Sequence, residues 1–217
     1  MKTMPAVQPA REGTAAATAQ LQELLAKDMK YVTVADLSEA LEGGADVNGT
    51  VGGRGGRDWT ALMHASENGA CDVVEQLLKH GAAVDVQTKM LGDTALMIAS
   101  STGHEGVVGK LLQHGANVDL KNTHSNTALM IASAYGREGI VGQLLKHCAN
   151  SDMKNFHGTT ALMLASENGH DAVLGQLLRH GVSVDIRNNE GKSALWYAED
   201  KGHEKAAALL REHGANK

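Results

Sequence analysis

Eleven histidines, two cysteines, a recurrent serine and a run reading GGRGGR at residues 52–57 are the parts of this 217-residue chain whose types could do chemistry. Histidine and cysteine bind transition metals and serve as bases or nucleophiles, serine is a nucleophile when a base activates it, and glycine with arginine suggests a phosphate cradle or an RNA contact. Spacing decides which of these is available.

His80, His114, His147, His180 and His213 occupy one equivalent place in successive stretches of about 33 residues. Stacked units lie about 10 Å apart, whereas a zinc ion needs ligands about 2 Å away, so neighbouring members of this series cannot share a metal. They read as helix-end residues near the negative end of the dipole. Ser66, Ser100, Ser133 and Ser166 likewise share one position, and a residue copied in every unit is architectural rather than a unique nucleophile. Cys71 and Cys148 form no CxxC pair. Cys71 falls near the start of a helix, where it is either a redox-sensitive thiol or an ordinary surface cysteine. The glycine-arginine run contains neither G-x-x-x-x-G-K-[ST] nor G-x-G-x-x-G, so nucleotide binding is not expected. No catalytic residue, cofactor or metal site is predicted.

The elements behind these residues come from self-similarity. "TALMHASENGACDVVEQLLKHGAAVD" from Thr60 recurs as "TALMIASSTGHEGVVGKLLQHGANVD" from Thr94, "TALMIASAYGREGIVGQLLKHCANSD" from Thr127 and "TALMLASENGHDAVLGQLLRHGVSVD" from Thr160, with a looser "SALWYAEDKGHEKAAALLREHGANK" from Ser193. A fixed period near 33 means a stack of like supersecondary units, none of which can bury its apolar face alone. In each, a Thr or Ser caps a short helix-prone segment that ends at a glycine, and apolar pairs such as Val107/Val108 and Leu111/Leu112 then predict an antiparallel second helix. Ala65, Ala99, Ala132, Ala165 and Ala198 keep the first helix thin, while the leucines of the second fill the space between layers. Gly81, Gly115 and Gly181 stand where a left-handed terminating residue is wanted; Cys148 takes that place in the third copy.

These residues resemble the ankyrin repeat over about residues 20–217. The resemblance implies an all-α solenoid of antiparallel helix pairs joined by projecting hairpin-like fingers, with His104, His170 and His203 matching a structural Gly-His. Thr-Ala-Leu-Met replaces the family's Thr-Pro-Leu-His, so the proline at the first helical position and the histidine that bonds within the repeat are absent. We read residues 1–14 as a disordered start and 15–217 as one domain: a degenerate cap over 15–48, an extended finger over 49–59, and copies beginning near 60, 94, 127, 160 and 193. In the cap, Leu37, Ala40 and Leu41 align with Val74, Leu77 and Leu78, and Thr33 with Asp36 suggests a capping box. At the far end Arg211 stands at a leucine position, as expected of a terminal unit.

With 42% apolar and 21% charged residues, no apolar run long enough to cross a membrane and no signal-peptide pattern, an intracellular protein is expected, in the cytoplasm before the nucleus. A net charge of -5 and a pI near 6.1 argue against a broad nucleic-acid surface. The resemblance implies binding of another protein by a chain that is monomeric alone, acting as adaptor, scaffold or inhibitor through the concave face of the first helices and the fingers. The candidate contacts are the positions that vary between otherwise alike units: Arg54, Arg57, Trp59, Glu67, Asn68, Met90, Thr102, His124, Tyr135, Phe156, Glu167 and Asn168. Aromatics are only 3% of the chain, so Trp59, Tyr135 and Phe156 are the foremost anchors. The alternative is RNA binding through the glycine-arginine finger, which a single such run supports only weakly. Asn48 to Thr60 spans 12 positions where Asp119 to Thr127 spans 8, so that run is a finger lengthened by four residues.

Overall fold

A hydroxyl opens the first helix of every full copy. Thr60, Thr94, Thr127, Thr160 and Ser193 sit in extended backbone and accept a hydrogen bond from the N–H three residues on, at 3.2–3.4 Å. Each thereby satisfies one of the donors that a helix start leaves unpaired.

In the computed structural model, which describes residues 15–26, 32, 34–52 and 58–216, the chain begins with α1 (Ala15–Ala26) and α2 (Val34–Glu42), then the short strands β1 (Thr50–Gly52) and β2 (Asp58–Thr60). Five helix pairs follow: α3 (Ala61–Glu67) with α4 (Cys71–Lys79), α5 (Ala95–Thr102) with α6 (Glu105–Gln113), α7 (Ala128–Ala134) with α8 (Glu138–Lys146), α9 (Ala161–Glu167) with α10 (Asp171–Arg179), and α11 (Ala194–Asp200) with α12 (Glu204–Glu212). First helices pack on first helices along the row from α3 to α11, and second helices on second helices from α2 to α12. The result is the all-α solenoid expected, with one two-stranded ribbon added. The expected disordered start, and Thr33 of the capping box, lie outside the described residues.

The core runs continuously along the stack. The five first-helix alanines are wholly buried, as are Leu77, Leu111, Leu144 and Leu177 of the second helices. Taking one such leucine out of water stabilises by about 1.5–3 kcal/mol, and Leu62, Leu96, Leu129 and Leu162 of the first helices are buried as deeply. Leu37, Ala40 and Leu41 of α2 continue this core into the cap, where α1 adds Ala17, Leu21 and Leu24.

Polar side chains set the spacing between layers. The ring of His104 lies against Gly69, where a Cβ would come within 2.6 Å of Nδ1, and its Nε2 donates to the Glu67 carbonyl at 2.9 Å. His170 and His203 repeat the bond to Ala134 and Glu167, and Arg137 makes it to Ser101 through its guanidinium. A carbonyl only accepts, so Nε2 carries the hydrogen in these three histidines. In His80, His114 and His213 it is Nδ1 that faces a carbonyl, that of the residue four back, so there Nδ1 carries the hydrogen and donates. The loops contribute a second ladder: Asp85, Asp119, Asp152 and Asp185 each accept from a backbone N–H of the next copy, at Asn117, Asn150, Ser183 and Asn216.

Cys148 has φ 61°, the left-handed conformation its position requires. A non-glycine residue there is strained by about 1–2 kcal/mol. Cys148→Gly should therefore raise stability by about 1 kcal/mol, because the more flexible unfolded chain offsets part of the relief. Chemical denaturation that shows an unchanged or lower midpoint would refute this.

Candidate functional site

The fifth residue of each T/S-A-L-x-x-A segment stands at the edge of the core, where Ile98 is buried and Ile131, Leu164 and Tyr197 are half-buried against it. His64, Ile98, Ile131, Leu164 and Tyr197 stand there, 33 or 34 residues apart in sequence and adjacent in space. Ile98, Ile131 and Leu164, with Met97, Met130 and Tyr135, wall a cavity of about 380 Å³ between the second, third and fourth full copies. At the finger end it is bounded by Asp93, Asn122, Asn126 and Asn155, and at the other by Ser101 and Ala134. This size lies within the range of ligand sites in proteins.

Asparagines shape the finger end. Asn122 Oδ1 accepts from the N–H of His124 and of Asn126, closing the finger, while its Nδ2 donates to Asp93 Oδ1 at 2.8 Å. Asn155 repeats the pattern, accepting from His157 and Thr159 and donating to Asn126 Oδ1 at 2.9 Å. Asn188 closes the last finger in the same way and donates to the Tyr197 hydroxyl. Burial, and after it the Glu167 charge, hold the Tyr197 phenol above its ordinary pKa. Fingertips are joined by backbone bonds from Thr123 to Leu91, Phe156 to His124 and Asn189 to His157. They form a row rather than separate arms.

The predicted contact positions divide into several groups. Tyr135 is 59% exposed at the cavity mouth, and Met90 and Phe156 are 77% and 73% exposed at the fingertips, where His124 also lies exposed. Glu67 is exposed and Glu167 half-buried at helix ends. Asn68, Asn168 and Thr102 are exposed, and each donates its side-chain hydrogen to the carbonyl four residues back, finishing its own helix. Trp59 is corrected: it is 8% exposed, and its ring packs on His64 at 5.2 Å. β2 pairs antiparallel with β1, Trp59 opposite Val51, and its position before the capping threonine corresponds to Asp93 and Asn126 at the finger base rather than to a fingertip. It is therefore a core residue, not an anchor. Arg54 and Arg57 fall outside the described residues.

Ile98, Ile131, Leu164 and the finger-base Asp93 and Asn126 were missed by the sequence reading. The signal was present, because these positions vary between copies as much as those chosen, but the aliphatics looked like core. Among the described residues, no group of three or more His, Cys, Asp and Glu side chains is arranged to hold a metal ion, and no helix is long and apolar enough to cross a membrane.

A family model described as ankyrin repeats, three copies, matches residues 33–122, 62–155 and 129–217. A comparison with curated proteins finds no match.

Proposed function

Because the chain belongs to the ankyrin repeat family, whose arrays are generally protein–protein interaction modules, we propose that it is a non-catalytic adaptor, scaffold or inhibitor that holds a partner protein along the helix-one face and the fingertip row. The observation that carries this reading is the cavity of about 380 Å³, aliphatic on its helix wall and polar at its finger end, with Tyr135 at its mouth. A large exposed aromatic beside a concave pocket is a usual centre of a binding surface. Met90, Leu91 and Phe156 extend it along the fingertips with exposed apolar area. Two thiols outside any disulfide, Cys71 and Cys148, suit a reducing compartment, the cytoplasm first, and the free protein is proposed to be monomeric.

A photo-crosslinking residue placed at Tyr135 should capture the partner in source-cell extract, whereas the same residue at Lys146, exposed on α8, should not. Tyr135→Ala should weaken that partner about tenfold with unchanged helical circular dichroism, an effect of roughly 1.4 kcal/mol. Equal labelling from both positions would defeat the proposal.

A further inference from the structure

We infer that the cavity between the second, third and fourth copies takes a basic apolar segment of the partner, in which a lysine or arginine lies beside a large aliphatic or aromatic side chain. This deepens, and rests on, the reading of the helix-one face as the partner surface.

The cavity is apolar along Ile98, Ile131 and Leu164 but carries one carboxylate, Asp93, at its finger end. Asp93 is half-buried, and one of its oxygens accepts from Asn122. Among the described residues no lysine, arginine or histidine lies within ion-pair distance of it. Glu67 and Glu167, at the C-terminal ends of α3 and α9, are in the same condition, and the negative ends of those helix dipoles add to their field.

Cations along this face are engaged elsewhere: Lys89, on the same finger as Asp93, pairs with Asp58 at 2.8 Å. Arg137 bonds the Ser101 carbonyl, Lys192 pairs with Glu190 and lies over the Trp196 ring, and Lys201 pairs with Asp200. The face therefore presents negative charge with no internal counterion.

That charge decides the occupant. A neutral apolar group covering the cavity would strip water from Asp93 and leave the carboxylate without compensation, while an acidic one would add repulsion. A cation next to the apolar anchor removes both costs. Asn126 adds a backbone contact: its Oδ1 is taken by Asn155, and its Nδ2, with no partner among the described residues, is available to donate to a carbonyl of the bound segment.

The test is selection of short random displayed peptides on the full chain, followed by affinity measurement across salt concentrations. The expected peptides carry Lys or Arg next to Leu, Ile, Phe or Trp. Asp93→Asn, which keeps an acceptor for Asn122, should weaken them about tenfold and flatten their salt dependence, as for loss of one charge-assisted bond. Asp93→Lys should turn the selection towards acidic peptides. Peptides lost on Ile131→Glu yet without basic enrichment, or indifferent to Asp93→Asn, would overturn this inference and leave the partner-surface reading standing. Peptides insensitive to both Ile131→Glu and Asp93→Asn would overturn the two together.

Discussion

Leu144→Ala should destabilise the protein by about 2–5 kcal/mol, the range for truncating a leucine in a close-packed core. Leu144 is wholly buried in α8, the second helix of the central full copy, between equivalent leucines of α6 and α10 that are also wholly buried. No loop can collapse into the gap, because each layer is held at its spacing by the histidine, arginine and aspartate bonds to its neighbours. The loss falls on two interfaces at once. In a nearest-neighbour array that weakens coupling between the two halves, so unfolding should also become less cooperative. The two tryptophans report the ends separately: Trp59 is buried at the first copy, and Trp196 is partly exposed in the last. Urea titration of Leu144→Ala, with and without Trp196→Phe, should show their transitions move apart. A loss below about 1 kcal/mol would mean that the site relaxes and that the layers are not rigid.

Gly158→Ala is expected to cost about 2–5 kcal/mol, against about 1–2 kcal/mol for Gly191→Ala, although both glycines occupy the same place in successive fingers. Both have left-handed backbone, φ 75° and 77°. That strain is common to the two. The difference lies in what a Cβ would meet: at Gly158 it would fall 2.5 Å from Asn189 Oδ1 and 2.9 Å from the Asn189 backbone nitrogen, and at Gly191 nothing lies within 4 Å. Asn189 is the residue whose N–H joins the fourth finger to the fifth through His157, so the clash also breaks that link. Equal losses for the two variants, measured by chemical denaturation, would contradict the close packing of the finger row.

Much of the architecture was readable because it is local and repeated. The capping hydroxyl, the turn glycine and the paired aliphatics each act within one helix or one turn, so their types and offsets state the element directly. Cys148 was legible for the same reason, being judged against three glycines at its position. Trp59 was not. An aromatic beside a glycine-rich run looks exposed, and only the pairing of β1 with β2 shows that the residue before the capping threonine turns inward. Asn122 and Asn155 were passed over as ordinary polar loop residues, since their bonds reach into the preceding copy.

The sequence by itself determined the unit, its length, its helix ends and the order of stacking, because a period near 33 with invariant core positions permits neighbouring copies to bury apolar surface in one way. The tertiary structure alone decided which variable positions meet. Ile98, Ile131 and Leu164 are separated by a whole copy in the chain and become one cavity wall only when the layers superimpose. Whether a half-buried aliphatic belongs to the core or to a surface depends on that superposition, which a nearest-neighbour interface sets and a local pattern does not encode.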